Sequence, residues 1–168
     1  MNKDETVELA KQYAMDGFLC SEAVLKAASQ WLGVESNLIP RISTGFGAGI
    51  GGCGLICGAL SGGVIALGLR FGRNDPTKKE GRKPYDFAAE LLDRFESKYG
   101  CITCRELTLC DLKSEAGRQR YADEKIWVTR CRDYIGSVTQ MVLDQISAGD
   151  KSSSSECFGD NGRSLRKN

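Results

Sequence analysis

Between Arg41 and Arg70 the sequence carries no charged residue, and the first part of that stretch is crowded with glycine (GFGAGIGGCGLICGALSGG, residues 45–63). Glycine costs roughly 1 kcal/mol per helix position relative to alanine, so a run this dense requires a packing reason. The pattern predicts an irregular glycine loop over 45–52 followed by a buried helix over 54–71. Gly54, Gly58 and Gly62 fall four apart, on one face of such a helix, where a second backbone can approach closely. Length alone would let the segment cross a bilayer. The charged, amphipathic segments on either side fit a helical bundle better, and no membrane insertion is expected.

Those flanking segments are periodic at helical spacing. Residues 4–16 carry Val7, Ala10, Tyr13 and Ala14 and stop at Gly17, and residues 20–32 carry Ala23, Val24, Ala27, Ala28 and Trp31 and stop at Gly33. A shorter helix is expected near 37–44, with Ser36 as its cap. Residues 72–83 read as a solvated loop, Pro84 as the opening of a helix over 85–99, 104–109 as a short helix and 110–122 as a loop. A last helix over 123–147 places Trp127, Cys131, Tyr134, Val138, Met141 and Val142 on one side. The expectation is an all-α, compact multi-helix bundle around a central glycine-rich buried helix, as a single domain over 1–147, with a disordered polar tail over 148–168. No segment alternates as a strand would, and no internal repeat is visible.

The 168 residues include eight cysteines and no histidine. Without histidine there is no Ser-His or Cys-His nucleophile of the usual kind, no histidine metal ligand and no C-x-x-C-H haem attachment. Cys101-Ile-Thr-Cys104 is followed by Arg105. Haem is therefore excluded, and any redox or metal chemistry falls to sulfur. Net charge is +1 with basic residues dispersed, which gives no reason to expect nucleic acid. The amino terminus, charged and amphipathic, does not read as a signal peptide. A cytoplasmic location follows as the expectation, and with it open thiols or thiolate ligands rather than a disulfide framework.

The motifs differ in weight. Gly47-Ala-Gly49-Ile-Gly51-Gly52 fits G-x-G-x-x-G, but the segment before it reads as helix, so close backbone packing explains it better than a dinucleotide. Cys53-x-x-x-Cys57 and Cys101-x-x-Cys104 match no ferredoxin or thioredoxin context. The placement of single cysteines says more. Cys20 opens the second helix, Cys57 falls in the first turn of the glycine-rich one, and Thr103-x-x-Glu106 is a capping-box pattern that puts Cys104 at a first helical position. Three cysteines thus face helix N-termini, where unsatisfied N–H groups favour thiolate and lower thiol pKa. Cys131 sits on an apolar stripe from which it can reach inward, although plain core packing accounts for it equally well. Cys110, in a loop, and Cys157, in the tail, read as incidental.

Cys20-Ser-Glu-Ala-Val, then Gly-Ile-Gly-Gly, then Cys57-Gly58-Ala59-Leu60-Ser61-Gly62-Gly63, then Cys104-Arg105-Glu106-Leu107, then Cys131 resembles the redox-active family named for its cysteine pattern, C_GCAxxG_C_C, over roughly residues 5–145. The resemblance carries the family cysteines onto Cys20, Cys57, Cys104 and Cys131 and leaves Cys53, Cys101, Cys110 and Cys157 outside the pattern. It implies a helical redox protein related to a domain of split-Soret-type cytochromes, where an iron–sulfur centre accompanies haem. The leading expectation is therefore electron transfer or redox sensing through an iron–sulfur cluster, most plausibly [2Fe–2S], held by Cys20, Cys57, Cys104 and Cys131. Gly51, Gly52, Gly54 and Gly58 are expected to bring backbone N–H groups to the sulfurs. Metal-free thiol–disulfide chemistry and a structural four-cysteine zinc site or plain interaction domain are the alternatives. A redox partner protein of unknown identity and a possible homodimer complete the expected partners.

Overall fold

The computed structural model describes residues 1–77 and 84–155, in which one isolated antiparallel bridge, Ile56 to Thr103, is the only β-type pairing. The expected all-α bundle is observed. Its first helix, α1 (Lys3–Met15), starts at a capping box: the Asn2 side chain accepts from the Glu5 N–H and the Glu5 carboxylate accepts from the Asn2 N–H. Helix α2 (Cys20–Trp31) buries Ala23, Val24, Ala27 and Ala28 of the stripe read from the sequence, leaves Trp31 half-buried and adds Leu25. A 3₁₀ turn (Arg41–Phe46), a single irregular turn α3 (Gly47–Ile50) and an extended stretch lead into α4 (Gly58–Phe71). Then come α5 (Pro84–Tyr99), α6 (Cys104–Thr108), α7 (Glu115–Asp123), a π-helical turn (Trp127–Cys131) and α8 (Arg132–Ser155).

Helix α4 is the centre. Ala59, Leu60, Ala66 and Leu67 are buried on it, and its glycines set how near its neighbours lie. A Cβ added at Gly62 would meet the Ser21 carbonyl oxygen at 2.3 Å, so α2 and α4 touch backbone to backbone. A Cβ at Gly63 would lie 2.8 Å from Val138 and 2.9 Å from Leu91, so α8 and α5 close over the same helix. Phe87, Leu91 and Phe95 on α5 and Ile135, Val138, Val142 and Ile146 on α8 complete the core. At 14 residues α4 is short, and among the described residues no helix is long and apolar enough to cross a membrane.

Several boundaries differ from the sequence expectation, each for a local reason. The glycine-rich helix begins at Gly58, not 54. Gly54 has φ +73° and the Cys57 N–H is spent on the Ile102 carbonyl at 2.9 Å, which holds 54–57 extended beside the α6 segment. The helix expected at 37–44 is a 3₁₀ turn starting at Arg41, since Pro40 has no N–H to continue a ladder. Residues 115–122, expected as loop, belong to α7: Ser114 caps it by accepting from the Gly117 N–H, yet Gly117 is the one buried residue on it, so no apolar stripe announced it. The last helix runs to Ser155 rather than 147, with Gly149 packed on Phe71 and Arg70 paired with Asp150. The remainder of the expected tail, 156–168, and residues 78–83 of the expected loop lie outside the described residues.

Because Gly62 has no room for a methyl group against Ser21, Gly62→Ala is expected to lower unfolding free energy by about 2 kcal/mol, read as a shift of the urea midpoint.

Candidate functional site

A cavity of about 380 Å³ opens between the N-termini of α2, α4 and α6 and the π-helical turn before α8, and Cys20, Cys57, Cys104 and Cys131 all line it. The rest of the wall is apolar or aromatic, including Phe18, Leu107, Trp127 and Tyr134, with Thr108 and Tyr121 adding hydroxyl groups and no charged side chain contributing. Among the described cysteines every one is a free thiol.

Each sulfur is held differently. Cys20 is the first residue of α2, and Ser21 and Glu22 behind it anchor the glycine segment: Ser21 Oγ donates to the Ser43 carbonyl at 2.8 Å, and Glu22 accepts from the Thr44 hydroxyl. This clamp brings the Ala48 N–H to the Cys20 sulfur, joined there by the N–H groups of Ser21 and Gly58. Ala48 reaches it in a left-handed conformation, φ +53°, one that costs an alanine energy and is held by its surroundings. Cys57 is the N-cap of α4 rather than in its first turn, and the Ala59 and Leu60 N–H groups turn toward its sulfur. Cys104 opens α6 behind the expected cap, the Thr103 side chain accepting from the Glu106 N–H. Cys131 ends the π-helical turn, where its Sγ lies 3.4 Å from the Tyr121 hydroxyl.

Glycine makes the cradle possible. A Cβ at Gly58 would sit 2.3 Å from Cys20 Sγ, and one at Gly49 would sit 2.7 Å from the Cys104 Cβ. Of the four glycines expected to serve the sulfurs, Gly58 lines the cavity; Gly51, Gly52 and Gly54 are outside its lining. Their φ values of +58°, +78° and +73° shape the turn instead. Ala48, whose N–H reaches the Cys20 sulfur, and Gly49, packed on the Cys104 Cβ, were not among the residues expected to serve the sulfurs.

The expected lowering of thiol pKa is overturned. Burial pushes all four thiols up, Cys104 to about 12 and Cys131 to about 11, with Cys20 and Cys57 moved the same way. The helix N–H groups act in the opposite sense at Cys20 and Cys57, as does the Tyr121 hydroxyl at Cys131, but desolvation in an uncharged pocket outweighs them. The charge of Cys20 also raises each of the other three, which places the four within electrostatic reach of one another. Burial likewise pushes up the Tyr121 phenol, followed by the charge of Cys131. Among the described residues no three cysteine or carboxylate side chains converge on a point that would hold one metal ion.

The remaining cysteines separate. Cys53 and Cys101 are half-buried and do not line the cavity, and the Cys101 thiol donates toward the Tyr99 carbonyl at 3.9 Å. Cys110, read as incidental, is buried, donates to the Thr108 carbonyl at 3.4 Å and adds to the field on Cys104 and Cys131. Cys157 lies outside the described residues.

Residues 18–145 match the family described as "Putative redox-active protein (C_GCAxxG_C_C)". The chain belongs to this family. The match takes in all four cavity-lining cysteines and leaves out α1, so the C_GCAxxG_C_C region carries nearly all the walls of the site. No curated protein and no solved structure matches the chain.

The raised thiols have a consequence for the metal-free C_GCAxxG_C_C protein. A thiol whose pKa is higher folded than unfolded contributes stability that is complete below the unfolded value, near 9, and is lost as pH rises toward the folded value. The urea midpoint is therefore expected to hold steady from neutral pH to about 8.5 and to fall between 9 and 12. The fall should be shallower in a Cys104→Ser/Cys131→Ser variant.

Proposed function

We propose that the cavity is the seat of a cysteine-held [2Fe–2S] iron–sulfur cluster and that the protein serves electron transfer or redox sensing. The carrying observation is that four cysteines from four separate segments line one cavity while every other wall residue is uncharged. Cys20, Cys57, Cys104 and Cys131 would be the ligands. A cluster of this kind takes up and releases one electron with little rearrangement of its surroundings.

The chain's own groups suit such an occupant. Cysteine thiolates are the natural ligands of iron–sulfur clusters, and metal binding supplies the driving force for deprotonation that the pocket otherwise opposes. The N–H groups of Ala48, Ser21, Gly58, Ala59 and Leu60 present positive dipole ends to two of the sulfurs, which offsets negative charge and favours the reduced form. The wall around the sulfurs is apolar, and Cys20, Cys57 and Cys104 are buried in it. Metal-free thiol exchange is the weaker reading, because an attacking sulfur must be thiolate and burial holds these as neutral thiols.

Purification without oxygen, followed by iron, acid-labile sulfide and zinc assays and a visible spectrum, tests the proposal. Iron and sulfide in equal amount with charge-transfer bands are expected, and each single serine substitution at Cys20, Cys57, Cys104 or Cys131 should sharply reduce both. Stoichiometric zinc, or colourless protein that stays so after anaerobic incubation with iron and sulfide, would overturn it.

A further inference from the structure

Three of the four cavity cysteines stand at the start of a helix, and Cys131 does not. It closes the π-helical turn Trp127–Cys131, whose backbone runs straight on into α8. Its N–H and those of the residues after it belong to that helical path, so they cannot turn back to the sulfur as those of α2 and α4 do. A buried thiolate without a donor is costly. Among the described residues the one side chain hydrogen-bonded to this sulfur is Tyr121, at 3.4 Å.

Tyr121 is held in place from several sides. Ser114 caps α7, a Cβ at Gly117 would meet the Asp111 carbonyl at 2.0 Å, and Arg120 donates to the Leu109 carbonyl at 2.9 Å. These fix α7 against the chain that leaves α6, and they aim its one cavity-lining side chain at Cys131. The neighbouring phenol, Tyr134, is turned elsewhere and donates to the Leu107 carbonyl at 3.2 Å. In the contact between Tyr121 and Cys131 either group can be the donor while the sulfur is a thiol. Once the sulfur is a thiolate ligand it has no hydrogen, and the phenol must donate.

We infer that Tyr121 is a positioning residue that replaces, for Cys131, the helix N-terminal donors serving Cys20 and Cys57, holding this sulfur as a ligand and tuning the potential of the group it binds. The inference rests on the proposed cluster for its redox consequence but not for the hydrogen bond itself. A donor to a ligand sulfur stabilises the more negative, reduced state, so its loss makes reduction harder. Phenylalanine removes one oxygen atom and keeps the ring that fills the wall.

The test compares full-length wild type with Tyr121→Phe in two states. In anaerobically prepared protein carrying iron and sulfide, a spectroelectrochemical titration should show the reduction equilibrium shifted about tenfold toward the oxidised form, equivalent to about 59 mV for one electron. In chelator-treated, reduced protein, iodoacetamide at pH 8 should alkylate Cys131, located by mass spectrometry, about threefold more slowly in the variant. Deleting an oxygen only opens access, so blocked access cannot produce a slower reaction. An unchanged potential or an unchanged alkylation rate overturns the inference. Wild type that takes up no iron would defeat the cluster proposal, and the alkylation comparison would then decide the role of Tyr121 alone.

Discussion

The nearness of α4 to the start of α2 is the constraint on which the rest of this protein depends. Two positions fix it. At Gly62 the Ser21 carbonyl occupies the space a methyl group would need, and at Gly58, one turn earlier, the Cys20 sulfur does. With both helices starting at the same level, Cys20 and the α4 cap Cys57 come to one cavity by backbone geometry rather than by long side chains. Over the first part of α4 the absence of charge is the same constraint seen in composition: in contact with α2, α5 and α8, the helix buries Gly58 to Gly63, Ala66 and Leu67.

The second consequence is electrostatic. The pocket is built almost entirely of apolar atoms, so its thiols are pushed up in pKa despite the donors at the helix starts. A site of this kind is poorly suited to exposing a reactive thiolate and well suited to retaining one that is bonded to something else. The same burial that makes the free thiols reluctant to ionise would shield a bound, negatively charged group from water, with N–H dipoles placed where its charge would lie.

Much of this was legible in the sequence because it rests on local rules. The glycine stop after α1, the Thr103 cap of α6, the stripe of α2 and the core side of α8 follow from periodicity and capping, and the assignment of Cys20 and Cys104 to helix starts follows with them. What was not legible depends on tertiary partners. The displacement of the α4 start to Gly58 arises from pairing of 55–57 with 102–104, segments far apart in the chain. Helix α7 has no apolar stripe and is stabilised by its cap and by packing at its ends, and with it Tyr121 was missed. A Ser114 cap followed by acidic Glu115 was the available signal. The dominance of burial over helix dipoles at the thiols could be weighed only once the pocket's walls were known.

Iron-edge anomalous diffraction from crystals grown without oxygen addresses the central claim most directly, since it locates metal rather than inferring it. A single anomalous feature is expected inside the cavity, within bonding reach of Cys20, Cys57, Cys104 and Cys131 together. Iron found elsewhere on the molecule, or a cavity whose four sulfurs contact nothing after anaerobic incubation with iron and sulfide, would contradict it.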